Sequence, residues 1–212
     1  MLRVTEIFYS LQGETSRVGL PTVFIRLTGC PLRCGYCDTS YAFSGGKRMH
    51  LDEIMHEVAL FAPHYVTLTG GEPLAQTNSL ALLTALCDQG YAVSLETSGA
   101  LDISHVDTRV SRILDIKTPG SGEVAKNHWR NIDYLTAQDE IKFVLCDRAD
   151  YDWAVEKLRT LKLDSLCPVL FSPVFNQLDS AKLADWILQD RLPVRLQLQL
   201  HKLLWGEECA GR

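Results

Sequence analysis

The chain alternates short β-rich runs with helical ones, and this alternation limits its fold more than any other feature of the sequence. Strand–helix–strand order is typical of parallel strands joined by right-handed crossovers. A closed (β/α) barrel needs eight strands and about 250 residues, whereas this chain has 212 residues. The pattern predicts an α/β fold, a partial (β/α) barrel with about six core parallel strands and shortened helices, and a doubly wound sheet is the alternative. The predicted strands begin at Thr22, Tyr65, Tyr91, Arg112, Glu140, Cys167 and Val194.

Helical patterns lie between most of these runs. The connection from Gly99 to Val110 is too short for a full helix with two loops. The chain contains no low-complexity segment, long linker or fixed-period repeat, so residues 1–212 are predicted to form a single domain. The predicted helices begin near Asp52, with Asp52 as a candidate N-cap, and near Asn78, ending at Gly90, and cover Asp150 to Thr160 and Leu178 to Gln189.

Composition excludes several function classes. Apolar residues make up 46% and charged residues 22%, which is typical of a packed globular core. The net charge of -5 gives no basic face for nucleic acid. No apolar run approaches the ~18 residues of a membrane span, and the first residues do not resemble a signal peptide. We therefore expect a cytoplasmic protein without nucleic-acid or membrane partners, in which seven cysteines are not explained by disulfides.

Distinctive residues follow the predicted strands at their C-terminal ends. Loops at these ends converge on one edge of a parallel sheet, where active sites of such folds lie. Turn formation explains the glycines, but it does not explain Glu72, Lys117 or three nearby cysteines. The segments are TGCPLRCGYCDT (28–39), TGGEP (69–73), ETSG (96–99), DIKTPGSG (115–122), FSPVF (171–175) and QLHK (199–202).

Cys30, Cys34 and Cys37 form a C-x3-C-x2-C motif in the loop after the first predicted strand. A structural zinc site needs four ligands, and the fourth would have to be His50, thirteen residues further on. A four-iron cluster with three protein thiolates would leave one iron open for another ligand. The other cysteines, namely Cys87, Cys146, Cys167 and Cys209 in the tail, fit structural or incidental roles.

The motif with Tyr36 before its third cysteine, followed after the next strand by GGEP, resembles the radical S-adenosylmethionine superfamily. The resemblance implies a partial barrel of the radical SAM type, one 4Fe-4S cluster held by the three cysteines, and S-adenosyl-L-methionine at the open iron. It also implies that a radical made from this cofactor abstracts a substrate hydrogen. Gly70, Gly71, Glu72 and Pro73 are implied to face the methionine end, where Glu72 would hold the ammonium.

The segment IFYSLQGETSRVGLPTVFIRLTGC (7–30), with CDT, DIKTPGSG and QLHK, resembles the 7-carboxy-7-deazaguanine synthase family over nearly the whole chain. The resemblance implies a lyase that contracts 6-carboxy-5,6,7,8-tetrahydropterin to 7-carboxy-7-deazaguanine with loss of ammonia, in queuosine or 7-deazapurine biosynthesis, assisted by Mg2+. Arg26 shares a strand face with Phe24 and Thr28, where its guanidinium can hold a carboxylate. Thr15 stands where the family usually has glycine, and the tail continues past QLHK to Arg212.

Site residues carry over from this resemblance in three groups. The pterin is expected at Leu11, Gln12, Gly13, Glu14, Arg26 and Thr69, and Mg2+ at Thr39. S-adenosylmethionine is expected at Tyr36, Cys37, Asp38, Gly71, Glu72, Ser98, Lys117, Thr118, Pro119, Ser172, Pro173, Val174 and Phe175. His201 is a candidate general acid or base, although a structural histidine fits the pattern equally well.

The family resemblance implies a homodimer, and an electron donor such as flavodoxin or ferredoxin. Another radical enzyme, an activase of glycyl-radical proteins, is the enzymatic alternative, since it shares the cysteine motif and the partial barrel. Such an activase would act on a protein chain and would not need LQGE or Arg26 for a small anion. An electron-transfer or zinc-stabilised module without catalysis is the alternative from another class.

Overall fold

The computed structural model of the protein describes residues 1–206 and 211, and its strands form one sheet. The strands are β1 (Leu2–Leu11), β2 (Pro21–Leu27), β3 (Lys47–Met49), β4 (Tyr65–Gly70), β5 (Ala92–Thr97), β6 (Ser111–Ile116), β7 (Glu140–Leu145), β8 (Val169–Pro173) and β9 (Arg195–Leu196). Their order across the sheet is β3-β1-β2-β4-β5-β6-β7-β8-β9. From β2 across the sheet to β9 the strands therefore follow one another in chain order, and β3 is the exception because it lies beside β1.

This sheet is an open barrel wall. Each pair from β2–β4 to β8–β9 is parallel, whereas β1 runs antiparallel to both β2 and β3. Because successive parallel strands are neighbours, the crossovers wind in one direction, as in a (β/α) barrel. Within the described residues the two edge strands, β3 and β9, do not pair with each other, so the barrel stays open. The predicted partial barrel is confirmed, and the doubly wound alternative is wrong.

Helices cover the outer side of this wall, and they are α1 (Leu51–Ala59), α2 (Ser79–Asp88), α3 (Arg148–Thr160) and α4 (Ser180–Gln189). A further helix, α5 (Leu200–Trp205), lies on the open side instead. Carboxylates cap two of them, since Asp147 accepts from the amide of Asp150 at the start of α3, and Asp179 accepts from that of Lys182 in α4. His50 rather than Asp52 is the N-cap of α1. No helix in the described part of the chain is long and apolar enough to cross a membrane.

The two faces of the wall differ in polarity. In β2, the buried Val23, Ile25 and Leu27 belong to the hydrophobic core with helix residues of α1 and α2, whereas Phe24 and Arg26 line an inner cavity. The same alternation along β4 to β7 places apolar residues outside and several polar ones inside. A closed barrel fills its interior with branched apolar side chains. This polar interior is therefore suited to a polar ligand.

The two ends of the chain differ from the sequence-based prediction. The first strand, β1, was not predicted, because its residues are only partly buried beyond Val4 and show no clean alternation. The run from Val194 to Leu200 was predicted as one strand, and this is wrong beyond β9. The amide of Leu200 donates to the carbonyl of Gly13 at 2.9 Å instead of extending the sheet, and α5 begins there. The chain thus turns away from the wall and crosses the open side of the barrel.

Candidate active site

A cavity of about 690 Å³ lies against the inner face of the sheet. Most of the residues that the sequence predicts for the site line it. They are Leu11, Gln12, Gly13, Glu14, Arg26, Cys30, Cys34, Tyr36, Cys37, Asp38, Thr39, Thr69, Gly71, Ser98, Lys117, Val174, Phe175 and His201. The loops after β2, β4, β5 and β6 and the segments 11–14 and 199–202 thus meet in one place.

The three motif cysteines lie in the loop after β2 and border this cavity. They are free thiols, and burial raises the pKa values of Cys30 and Cys34. Among the described residues, no three His, Cys, Asp or Glu side chains converge as ligands of a single metal ion, and His50 caps α1. The geometry therefore does not support the zinc alternative. An iron–sulfur cluster fits better, because thiolates around one cavity can each bind a different iron.

Two buried polar atoms of the cavity wall have no hydrogen-bond partner among the described residues, namely the Tyr36 hydroxyl and Oδ1 of Asp115. An unpaired buried polar group costs about 1–3 kcal/mol, so such atoms usually serve a ligand or water. Burial raises the pKa of Tyr36, so its hydroxyl stays a donor. A donor and an acceptor beside the thiols fit a nucleoside-type cofactor with both kinds of group.

Arg26 projects from β2 into the cavity between two aromatic rings. Its guanidinium carbon lies 5.7 Å from the ring centroid of Phe8 and 5.8 Å from that of Tyr41. Its Nε donates to Glu6 at 2.7 Å, and the Tyr41 hydroxyl donates to the same carboxylate oxygen at 2.7 Å. Because these contacts use Nε and the ring faces, the two terminal nitrogens stay available for a carboxylate.

The loop after β1 enters the barrel at the edge opposite the C-terminal ends of the parallel strands, because β1 runs antiparallel to β2. Gln12 is buried, and its Nε2 lies 3.3 Å from Glu96 Oε1 and 3.4 Å from Thr67 Oγ1. The carboxylate of Glu14 accepts from Lys142 Nζ at 2.8 Å and from Gln199 Nε2 at 2.9 Å. Burial opposes the charge of Glu14, but Lys142 and Gln199 hold its pKa below the usual value. The loop therefore supplies an amide and an ionised carboxylate to the cavity interior.

Known proteins are similar to this chain in sequence and in fold. The sequence model of the radical SAM superfamily matches residues 24–166 of this chain. The 7-carboxy-7-deazaguanine synthase of Chlorobaculum tepidum is 46% identical, over 99% of this chain and 97% of the relative. The enzyme of the same name from Koribacter versatilis is 44% identical, over 99% of this chain and 100% of the relative. The chain belongs to the 7-carboxy-7-deazaguanine synthase family. The crystal structure of QueE from Escherichia coli has the same fold, with a TM-score of 0.77 and 22% identity over 94% of each chain.

Glu72, in the GGEP motif of this synthase-family chain, is buried away from the cavity. Its carboxylate accepts from the amide of Leu74 at 2.9 Å, the Thr97 hydroxyl at 2.9 Å and the amide of Ser98 at 2.7 Å. A ligand ammonium would have to displace one of these donors. In this structure Glu72 fixes the loops after β4 and β5, and its contact with the cofactor stays a prediction.

Four other predicted cofactor residues also lie outside the cavity wall, and they are Thr118, Pro119, Ser172 and Pro173. The side chain of Thr118 contacts the protein itself. The Thr118 hydroxyl bonds to the carboxylate of Asp150 and to the carbonyl of Val144, both at 3.0 Å. Backbone groups of these segments remain candidates for the predicted contacts.

The resemblance to the synthase family did not indicate several polar residues that line the cavity. Burial raises the pKa of Glu96, which accepts from Thr69 at 3.0 Å, and Lys142 and Asp115 lie on neighbouring strands. Period-two alternation within β5, β6 and β7 would have placed these residues on the inner face, opposite their apolar neighbours. The set comprises Tyr41, Glu96, Thr97, Asp115, Lys142, Gln199 and Lys202, of which the last two belong to the QLHK segment.

The QLHK segment closes one side of the synthase-family cavity. Lys202 Nζ lies 2.7 Å from Asp38 Oδ2 in the cysteine loop, and a Cβ on Gly13 would stand 2.0 Å from Nδ1 of His201. Glycine is therefore required where the loop after β1 meets α5. Burial lowers the pKa of His201, which keeps its ring neutral near pH 7. Cys209 lies outside the described residues.

Proposed function

We propose that the protein is a 7-carboxy-7-deazaguanine synthase, which contracts 6-carboxy-5,6,7,8-tetrahydropterin to 7-carboxy-7-deazaguanine and releases ammonia. One observation carries the proposal, namely that a single cavity joins the three-cysteine loop to a guanidinium and to amide and carboxylate groups. A pterin with a carboxylate substituent needs these groups beside a radical source. Family membership supports the same reaction, and the activase alternative is not favoured.

In this proposal Cys30, Cys34 and Cys37 hold the 4Fe-4S cluster, and S-adenosylmethionine lies between them and the loops after β5 and β6. The chemistry that this pair supplies when bound is a one-electron cleavage that yields the hydrogen-abstracting radical. The residues of the chain orient the cofactor and exclude water. Tyr36 would donate through its unpaired hydroxyl, and Ser98 and Lys117 lie at neighbouring strand ends for the polar groups of the cofactor.

The pterin would lie deeper, between β1, β2 and the loop at Gln12. Arg26 would bind the carboxylate through its terminal nitrogens, since Glu6 already occupies Nε. The ionised Glu14 would accept from the amino edge of the pterin, and Gln12 offers an amide. Thr69 and Glu96 would complete the polar wall, because they are already joined to each other at 3.0 Å.

For Mg2+ the chain offers Thr39, whose hydroxyl lies 2.9 Å from Asp38 Oδ1. A hydroxyl and a neighbouring carboxylate suit a hard cation that otherwise keeps water and substrate oxygens. In this proposal Thr39 would hold the ion, and the ion would supply positive charge for the carboxylate of the substrate.

A homodimer and a small electron-transfer protein such as flavodoxin or ferredoxin complete the proposal. The edge of β1 beyond Val4 has no paired strand within the described residues, and the nearby Tyr9 and Phe61 are 49% and 41% exposed and stacked on each other. These features support association with a second copy. Free thiols suit the reducing cytoplasm, which is the location we propose, and the product would enter queuosine or another 7-deazapurine pathway.

The decisive experiment is product analysis after anaerobic reconstitution with iron and sulfide. The protein is supplied with 6-carboxytetrahydropterin, S-adenosylmethionine, Mg2+ and dithionite, and we expect carboxydeazaguanine and ammonia. Formation of 5′-deoxyadenosine without carboxydeazaguanine would move the assignment to another radical enzyme. Failure to take up a cluster would exclude radical chemistry altogether. Omission of Mg2+, with the other components unchanged, tests the metal requirement separately.

A further inference from the structure

Four charged side chains form a chain of ion pairs along one wall of the cavity. Lys142 Nζ lies 2.8 Å from Glu14 Oε2 and 3.7 Å from Asp115 Oδ2. Asp115 Oδ2 is in turn 2.9 Å from Lys117 Nζ. We call these residues, Glu14, Lys142, Asp115 and Lys117, the charge ladder. It runs from the proposed pterin side to the proposed S-adenosylmethionine side.

Lys142 is the member of the ladder that contacts both sides. Its side chain projects inward from β7, is 13% exposed and reaches the loop after β1 and strand β6 at once. A buried ammonium is stable only where carboxylates surround it, and a buried carboxylate is stable only beside a cation. Removing the lysine would therefore leave Glu14 without its cation and Asp115 with Lys117 alone.

Both carboxylates keep an oxygen suited to further contacts. Glu14 Oε1 accepts a hydrogen bond from Nε2 of Gln199 at 2.9 Å, and Gln199 lies on the segment that covers the barrel. Asp115 Oδ1 is buried without a partner among the described residues, as is the hydroxyl of Tyr36, and both residues border the same cavity. An orphan acceptor and an orphan donor in one cavity wall point to a bound ligand. The orientation of that acceptor depends on the two lysines at Oδ2.

We propose that Lys142 is a positioning residue shared by the two halves of the site, which orients Glu14 toward the pterin and Asp115 toward the nucleoside cofactor. This inference rests on the proposed function, because that function assigns the two ligands to the two halves. Lys142 itself need not touch either ligand. Its removal then weakens both binding events, whereas removal of a residue that serves one ligand weakens one.

The test is ligand binding, measured without turnover. The probes are 6-carboxypterin, a stable oxidised analogue of the substrate, and S-adenosylhomocysteine, which lacks the cleavable sulfonium. We expect Lys142→Met to lower the affinity of the cluster-loaded protein for each probe about tenfold or more, as a lost charge-assisted contact would. Binding of 6-carboxypterin to the cluster-free protein should fall similarly. Lys157→Met removes a surface lysine that pairs with Glu156 on α3, and it should change neither affinity.

Lys142→Arg keeps the charge and should restore part of both affinities, which simple loss of packing would not predict. Folding of Lys142→Met is checked by its thermal unfolding transition. If this variant does not fold, Lys142→Gln replaces it in the same measurements. The inference is overturned if a folded neutral variant binds either probe as tightly as the unaltered protein. The proposed function is judged separately, by product formation in the unaltered protein.

Discussion

At the scale of single residues, Arg26 offers the most direct test of the substrate assignment. Arg26→Ala should lower the affinity for 6-carboxypterin about tenfold to hundredfold, because a charge-assisted, bidentate contact is lost. Arg26→Lys should restore only part of this loss, since a lysine cannot form the fork. Fluorescence titration measures the affinity, and iron content checks that the cluster still assembles. An unchanged affinity would limit Arg26 to its contacts with Glu6 and Tyr41.

Glu96 gives a pH-dependent prediction at the same scale. Burial raises the pKa of this carboxyl group in the folded protein, so the folded state holds the proton more tightly than the unfolded chain. The stability that this group contributes is therefore fully present below the ordinary carboxyl pKa. It is lost as the pH rises through the pKa of the group in the folded protein. Glu96→Gln should remove this decline. The free energy of unfolding of both cluster-free proteins is measured in urea between pH 5 and 8. An equal pH dependence of this free energy in the two proteins would contradict the prediction.

At the scale of elements, the N-terminal ends of β6 and β7 are joined by a buried ion pair. Arg112 Nη2 lies 2.6 Å from Asp139 Oδ2, and Asp139 also accepts from the amides of Arg112 and Thr136. Asp139→Ala should lower the free energy of unfolding by about 3–5 kcal/mol, because the guanidinium stays buried without a partner. Asp152→Ala breaks an exposed pair on α3 and should cost less than about 0.5 kcal/mol in the same urea titration. Equal losses would show that Asp139 contributes little.

The elements also show what sequence can predict. The strands from β2 to β8 in the parallel part follow from short apolar runs between turn residues, because strands covered on the outer face need such runs. The start of the chain could not be predicted in this way, since β1 lies near an edge of the sheet and alternates weakly. At the other end, the alternation of Val194–Leu200 resembles one long strand, but only Arg195–Leu196 form β9, and the amide of Leu200 bonds to Gly13 instead of extending the sheet.

The site shows the same division. Cys30 and Arg26 were predictable from motif and strand phase, and both line the cavity. Strand phase can place Lys142 on the inner face of β7, but nothing in the local sequence shows what its side chain contacts there. Its importance depends on Glu14, which is distant in sequence and reaches it through the loop after β1. Contacts of this kind depend on tertiary structure rather than on local pattern.

At the scale of the whole molecule, the cysteine loop connects distant parts of the barrel. The amide of Gly35 donates to the carbonyl of Ser121 at 3.1 Å, that of Arg33 to Glu123 at 2.6 Å, and Asp38 pairs with Lys202 of α5 at 2.7 Å. A group bound by this loop therefore stabilises the sheet end and the covering segment together.

Cluster binding should accordingly raise the thermal stability of the entire fold. A ligand that binds only the folded state adds about 2.7 kcal/mol at a hundredfold excess over its dissociation constant, so the loaded protein should unfold at a clearly higher temperature. Cys34→Ala should abolish both the retention of four irons and this gain, because one ligand of the cluster is lost. Cys87→Ala, on α2 and outside the cavity wall, should keep both. Anaerobic calorimetry with iron analysis measures the two effects, and a Cys34→Ala protein with full iron content would remove Cys34 from the ligand set.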